Sequence, residues 1–266
     1  MITFVVPIII QFPERYYTMH LQTVVDQLRS MRLTTMAESL MTRLKNNESD
    51  GLEPSEFVAL LVEDEYCARQ NRKLQRMIGR ANFKPDQATI ENILYDQNRG
   101  FTKKDIMLFT SADWIESNRN IILTGPTGSG KSYVAEAIGY RACIMGYPVW
   151  RVRYALLFEE IHTSKGTGQY LKFLAKLSKI RVLIIDDFLM NATDIKEAEM
   201  LMDIIEQKDQ TGSIVVTTQY PVQSWHKRMP DPTIADAICD RIVQNAVQLN
   251  LKGDSMRKKQ QNSQPK

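Results

Sequence analysis

The sequence GPTGSGKS, at residues 125–132, decides the fold because it matches the pattern G-x-x-x-x-G-K-[ST] at every fixed position. The apolar run IILT (121–124) precedes it and predicts a strand, and a helix is predicted over 131–145. Glycines let backbone N–H groups converge on phosphate oxygens, and a helix N-terminus adds positive potential. The sequence therefore predicts a nucleotide-binding loop formed by Gly125, Pro126, Thr127, Gly128, Ser129, Gly130, Lys131, Ser132 and Tyr133.

Two carboxylates end a second apolar run, VLIIDD, at residues 182–187. Such a run is typical of a central parallel strand buried on both faces, and open α/β sheets bind ligands at the carboxyl ends of their strands. We expect Lys131 to reach the β- and γ-phosphates of ATP, and Ser132 and Asp186 to hold Mg²⁺. Asp187 could then orient the attacking water as a base. ATP and Mg²⁺ are the predicted cofactors.

A third apolar run, SIVVTT (213–218), predicts a buried strand that ends in polar residues. If this strand lies beside the P-loop strand, a side chain at its end faces the γ-phosphate. The pattern is equally compatible with ordinary strand capping. Thr217, Thr218 and Gln219 are the candidates, and Gln219 is taken as the catalytic one.

The organisation changes along the chain. Apolar residues at helical spacing predict a small helical domain over 19–80, and residues 81–115 are expected to be a connector. Beyond this, short apolar strands alternate with helices, which predicts an α/β domain over 116–259 with a P-loop parallel sheet flanked by helices. Residues 260–266 form a polar tail, and 1–18 are expected to be an extension, with Met19 as the native start.

Composition excludes several classes of protein. The 266 residues carry a net charge of +3, and 43% are hydrophobic, which is typical of globular proteins. Three cysteines and three histidines are scattered without metal-ligand spacing. The apolar N-terminal run MITFVVPIII is too short to cross a bilayer, so no membrane association is expected. The predicted location is the cytoplasm.

Several motifs, in their order and spacing, resemble the IstB-like transposition helper ATPases. They are GPTGSGKS, LIIDDF (183–188), VTTQY (216–220), Trp225, ADAICDRI (235–242) and LKGDSMR (251–257), and the pattern at 21–40 resembles the family's helical start. This family is close to the DnaC-type helicase loaders within the AAA+ superfamily. The resemblance implies an ATPase that assembles as a homo-oligomer on double-stranded DNA and works with a transposase.

The resemblance also assigns roles to single residues. Asp186 corresponds to the Walker B metal partner, and Asp187 to the catalytic acid, where many AAA+ enzymes have Glu. Gln219 or Thr218 falls at the sensor I position. Arg241 falls where the family carries an arginine finger that acts on a neighbour's ATP, although the sequence alone also allows an ion pair with Asp240 or Asp236.

Further implications concern the end of the chain and the nucleotide base. Arg257 resembles the closing arginine of an S-x-R motif that contacts nucleotide. Nine residues follow it in this sequence, which are too few for the usual AAA+ lid, so no lid is expected after Arg257. Contacts to adenine are therefore expected partly from the connector before the P-loop.

A DNA-binding surface is predicted from basic residues around and after the second strand. Residues 165–181 contain five basic and no acidic side chains. Phosphate contacts require only positive charge in a groove, but a solvated helix face gives the same pattern. The candidates are Arg151, Arg153, Lys165, Lys172, Lys176 and Lys179, and no helix-turn-helix pattern accompanies them.

The function expected from the sequence is that of an ATP-dependent, DNA-binding transposition helper that assists a transposase in target selection or engagement. A replicative helicase loader of the DnaC type shares the same motifs. A P-loop small-molecule kinase would work without an arginine in trans, and a nucleotide-gated binding module would scarcely hydrolyse ATP.

Overall fold

The computed structural model describes residues 20–85, 88–95 and 99–253. The chain divides into two compact units between Arg72 and Lys73. The predictions for the first 18 residues, for the tail and for Arg257 lie outside the described residues.

The first unit contains α1 (Leu21–Ser30), α2 (Thr34–Lys45) and the beginning of α3 (Pro54–Ala81). Its apolar side chains recur at helical spacing, so each helix presents one apolar stripe to the others. The buried core of this unit consists of Val25, Leu28, Ala37, Leu40 and Leu61.

A five-stranded parallel sheet organises the second unit, which confirms the predicted fold class. The strands are β1 (Asn120–Thr124), β2 (Val149–Arg153), β3 (Val182–Asp186), β4 (Ser213–Thr218) and β5 (Ala246–Asn250), in the order β2-β3-β4-β1-β5. Strand β4 lies beside the P-loop strand β1, as its proposed role requires. The sequence did not reveal β5, because it is an edge strand in which Gln248 interrupts the apolar pattern.

Helices cover both faces of the sheet. They are α4 (Lys103–Met107), α5 (Asp113–Glu116), α6 (Lys131–Ile144), α7 (Tyr154–Gly166), α8 (Tyr170–Leu177), α9 (Ile195–Asp209) and α10 (Pro232–Val243). Helix α6 and the apolar residues of 81–115 bury one face, while α7, α9 and α10 bury the other. Successive side chains of a strand are therefore buried on opposite faces of the sheet, as those of Ile121 and Ile122 are.

The interval predicted as a connector contributes substantially to the core of the second unit. Ile93, Phe101, Phe109 and Trp114 are buried in it. In the described ranges, no helix is both long and apolar enough to cross a membrane.

Candidate active site

The P-loop connects β1 to α6, and its glycines are required by its backbone. Gly128 and Gly130 have φ of 83° and 92°, in the left-handed region that favours glycine. At Gly125, a Cβ atom would lie 2.1 Å from the carbonyl oxygen of Leu251. The loop can therefore adopt this path only with glycine at these positions.

Lys131 begins α6 and points back into the loop. Its side chain is buried, and its ammonium donates hydrogen bonds to the carbonyl oxygens of Gly125 (2.8 Å) and Pro126 (2.9 Å). Burial lowers the pKa of Lys131, against the opposing charges of Asp187 and Asp186. The predicted phosphate-binding lysine thus lies within the electrostatic reach of both carboxylates.

Asp186 and Ser132 are brought together by the fold. The Ser132 hydroxyl donates to Oδ1 of Asp186 at 2.7 Å, and the Thr217 hydroxyl donates to the same oxygen at 2.6 Å. Burial opposes ionisation, but these two hydrogen bonds and the charge of Arg151 hold the pKa of Asp186 below its ordinary value. The carboxylate is therefore ionised at neutral pH.

The pair formed by Ser132 and Asp186 fits Mg²⁺. Mg²⁺ prefers oxygen ligands such as hydroxyl and carboxylate groups. In nucleotide sites it takes few ligands from the protein, because phosphates and waters supply the rest. When bound, the ion would neutralise charge on the phosphates. Among the described residues, no cluster of three His, Cys, Asp or Glu side chains offers a separate metal site.

Asp187 lies in a strained turn directly after β3. Asp187 and Leu189 have φ of 59° and 56°, in the left-handed region that L-residues rarely adopt. The backbone N–H of Asp187 donates to the Thr217 hydroxyl at 3.1 Å, which fixes the start of the turn. This conformation holds the carboxylate of Asp187 beside the nucleotide cavity.

The segment after β4 secures the rest of this turn. The Thr218 hydroxyl donates to the carbonyl of Phe188 at 3.0 Å, and Nε of Arg228 donates to the carbonyl of Leu189 at 2.8 Å. The ring of Trp225 packs edge-on against Phe188 with 4.9 Å between centroids. The buried Trp225, conspicuous in the sequence, therefore supports the position of Asp187.

Gln219 and Thr218 occupy different environments. Thr218 is buried and its hydroxyl both donates to Phe188 and accepts from the N–H of Tyr220. Gln219 lines the nucleotide cavity, where its Nε2 lies 3.4 Å from the sulfur of Met190. Of the two, Gln219 is the one whose side chain can meet a phosphate.

The cavity has a volume of about 290 Å³ and extends from the P-loop to the interval before β1. Ile93 and Leu94 give it an apolar wall, which suits a nucleotide base. Arg99 holds this wall to the loop, because its guanidinium donates to the carbonyls of Leu94 (2.7 Å) and Ser129 (2.6 Å). The sequence did not assign Arg99 a role in the site, because these two hydrogen bonds go to backbone carbonyls, which no residue pattern reveals.

Arg241, on α10, lies far from its own P-loop. The amide of Asn120, the first residue of β1, donates to the Arg241 carbonyl at 3.0 Å, whereas the P-loop follows the other end of that strand. The Arg241 guanidinium pairs with Glu206 at 2.8 Å. Its intramolecular partner is thus on α9, and neither Asp240 nor Asp236 forms the ion pair considered from the sequence.

The proposed DNA-binding residues fall into two groups. Arg153 and four lysines are exposed, with Lys165 over the ring of Tyr170 and Lys176 over that of Trp150. Arg151 is buried and bonded to Asp186, so its guanidinium is not part of that surface. The exposed lysines are Lys165, Lys172, Lys176 and Lys179.

Acidic side chains share the groove of these lysines. Glu159 and Glu160 of α7 line a cavity together with Lys172 and Lys176 of α8. The absence of acidic residues from 165–181 therefore overstates the positive potential of the surface, because folding places α7 alongside α8.

Comparison with known proteins agrees with this geometry. Residues 26–264 match the family model of the IstB-like ATP binding protein. A Sinorhizobium fredii protein, y4pL, whose name describes an insertion sequence ATP-binding protein, is 34% identical over 236 residues, covering 89% of this chain and 96% of that protein.

Solved structures show the same fold at low identity. The DnaC helicase loader is 16% identical with a TM-score of 0.55, covering 62% of this chain and 97% of that one. AMPPCP-bound DnaA from Aquifex aeolicus is 15% identical with a TM-score of 0.55, covering 66% of this chain and 53% of that one. This chain is therefore an ATPase with the fold of these two proteins, and it is a member of the IstB-like ATP-binding protein family.

Proposed function

We propose that this ATPase is a transposition helper that assembles on double-stranded DNA and assists a transposase in selecting or engaging its target. ATP binding would drive assembly, and hydrolysis would release or remodel the complex. The names of its relatives, which describe insertion sequence ATP-binding proteins, support the transposition context. The position of Arg241 is the structural observation that carries the assembly part of the proposal.

The position of Arg241 supports action on a neighbour's nucleotide rather than on its own. Its backbone adjoins the first residue of β1, and a strand of five residues separates that point from the P-loop by about 13 Å of rise. Among the described residues, the partly exposed side chain of Arg241 bonds to Glu206 and to the backbone carbonyl of Ala237. If Arg241 contributes to hydrolysis, it does so across an interface between protomers.

Within one protomer, the other roles follow from the site. Lys131 would contact the phosphates, and Ser132 and Asp186 would hold Mg²⁺. Asp187 would orient the attacking water, and Gln219 would contact the γ-phosphate. Lys165, Lys172, Lys176, Lys179 and Arg153 would contact DNA phosphates without reading sequence.

The decisive experiment mixes two inactive proteins, Arg241→Ala and Lys131→Ala. Each alone should have little ATPase activity, since a finger supplied in trans is worth about 10³-fold or more in rate. In the mixture, some interfaces pair the intact P-loop of the first protein with the intact arginine of the second. Activity should therefore partly return, and wild-type activity per mole should rise with protein concentration and with added DNA.

The same experiment separates the proposal from its rivals. A small-molecule kinase acting within one protomer would show neither recovery nor concentration dependence. Recovery of ATPase activity would not distinguish a transposition helper from a helicase loader, because a loader with the same fold would also share its ATP sites between protomers. For that distinction, ATP-dependent complex formation on duplex DNA should be measured with the transposase of the same insertion sequence and, separately, with a replicative helicase.

A further inference from the structure

A buried arginine, outside the motifs that mark the nucleotide site, contacts the metal-binding carboxylate directly. Arg151 lies in the middle of β2 and is 7% exposed. Its guanidinium donates to Oδ2 of Asp186 on the adjacent strand at 2.5 Å. A charge in this position needs a specific reason, because burying a guanidinium is costly unless it is paired.

The two carboxylate oxygens of Asp186 are held by different groups. Oδ1 accepts from Ser132 and Thr217, while Oδ2 accepts from Arg151. A carboxylate held at both oxygens cannot rotate about its last bond. Its Oδ1 consequently stays directed at Ser132, the other residue expected to hold the metal ion.

A second carboxylate completes the network. Glu136 of α6 is buried, and its Oε1 lies 2.9 Å from Nε of Arg151 in an ion pair without hydrogen-bond alignment. Oε2 of Glu136 accepts from the backbone N–H of Lys84 at 3.3 Å, and Oε1 lies 3.7 Å from the Lys84 ammonium. Lys84 itself lines the nucleotide cavity.

We propose that Arg151 is a positioning residue for the ATPase reaction, which fixes the rotation of Asp186 toward Ser132 and is itself fixed by Glu136. This inference rests on the proposed Mg²⁺ role of Ser132 and Asp186. Arg151 is not among the residues that line the nucleotide cavity, so its proposed action is through Asp186. Arg151 therefore affects how strongly Mg²⁺ raises the affinity for ATP. Residues that hydrogen-bond to metal ligands commonly tune metal affinity in this way.

The test measures the affinity for a fluorescent ATP analogue with Mg²⁺ and with EDTA, and takes the ratio as the Mg²⁺ coupling. Arg151→Lys keeps the charge but loses the planar fork that serves two carboxylates. We expect its coupling to fall about 10- to 100-fold, with affinity in EDTA nearly unchanged. Arg119→Met, an exposed substitution before β1, should leave both affinities unchanged.

A double variant guards against misfolding. Glu136→Leu with Arg151→Met removes one negative and one positive charge together, so the net charge of the buried network is kept and only Oδ2 of Asp186 loses a donor. It should keep the wild-type melting temperature within a few degrees and lose Mg²⁺ coupling as Arg151→Lys does. Normal coupling in either folded variant, or an equal loss of affinity with Mg²⁺ and with EDTA, would overturn the inference.

A further arm separates failure of the inference from failure of the proposed metal role. Asp186→Asn should abolish Mg²⁺ coupling whatever Arg151 does. If Asp186→Asn loses coupling while Arg151→Lys keeps it, the metal role stands and the inference is wrong. If wild-type protein shows no coupling at all, both are wrong.

Discussion

Charged residues are arranged in opposite ways at the carboxyl edge of the sheet and on the α7–α8 surface. At the sheet edge, Lys131, Asp186 and Arg151 are buried and each has defined partners. On the other surface, Lys165 of α7 and Lys172 of α8 are exposed. The first arrangement suits a reaction, which requires fixed geometry, and the second suits phosphate backbones, which require mainly charge. Perturbing the two regions should therefore have different kinds of consequence.

The largest expected effect comes from the sheet edge. Asp187→Asn should lower kcat by about 10²–10⁴-fold, because the base is lost, while ATP affinity stays the same. Asn tolerates the left-handed backbone at this position, so the turn should persist. Phosphate release and fluorescent-ATP titration measure the two quantities. Normal turnover would show that Asp187 is not the base.

Lys131→Ala should act on binding instead. Loss of a charged contact worth about 3 kcal/mol should weaken ATP affinity about 100-fold. The same titration measures this change, with Asp187→Asn as the control that keeps the loop intact. Wild-type affinity in Lys131→Ala would contradict the assignment of this lysine to the phosphates.

On the basic surface the expected effect is graded and depends on salt. Replacing Lys172, Lys176 and Lys179 with Ala should make the slope of log affinity against log salt shallower by about 3, if all three contact phosphates. Fluorescence anisotropy with duplex DNA and ATP gives the slope. Replacing three exposed lysines elsewhere, Lys103, Lys104 and Lys227, changes the net charge equally and is the matched control. Equal slopes for the two triple variants would refute a local DNA site.

Removing the acidic charges of the same groove should change DNA affinity less, and in the opposite direction. Glu159→Gln with Glu160→Gln should tighten duplex binding by less than about tenfold, because exposed charges interact weakly through water. Anisotropy at low salt should detect the gain, and it should vanish at high salt. A loss of affinity would mean that DNA follows another path.

Lys208 tests the contrast between the two regions, because it is a fully buried charge beneath the basic surface. Its ammonium donates to the carbonyls of Leu177 and Ile180 at the end of α8. Burial, with a smaller contribution from Arg181, lowers its pKa from 10.5 to about 8. Between these values the unfolded chain binds more protons than the folded one, so raising the pH favours folding.

The expected outcome is a pH-dependent difference in stability. From pH 7.5 to 9.5, the free energy of unfolding should rise by about 1–2 kcal/mol more in the wild type than in Lys208→Met. Denaturant unfolding at both pH values measures it. Parallel pH profiles would show that Lys208 keeps an ordinary pKa in the folded protein.

Features encoded by consecutive residues were predictable from the sequence. The strand predicted over 213–218 is confirmed as β4, and the apolar run before Asp187 is confirmed as β3, because both have consecutive apolar residues between turns. The P-loop was recognisable because its glycines, lysine and serine are all needed within eight residues. The register of β3 against β4 then places Thr217 near Asp186.

Contacts between distant residues were not predictable. Arg151 and Asp186 are 35 positions apart, and nothing local distinguishes a buried arginine in β2 from an exposed one. The same holds for Arg241, whose ion-pair partner Glu206 lies on another helix, 35 positions away. Such pairs depend on which strands and helices become neighbours, and only the fold supplies that information.

The left-handed backbone at Asp187 limits how this site can change over evolutionary time. A longer carboxylate would extend the reach toward water, but most L-residues cost about 1–2 kcal/mol in this conformation, while Asp and Asn are tolerated because their short polar side chains bond locally. A single exchange to Glu would thus gain reach and lose stability together. A second change that relieves the turn would then be needed to recover the lost stability, so the acid and the turn are expected to change together.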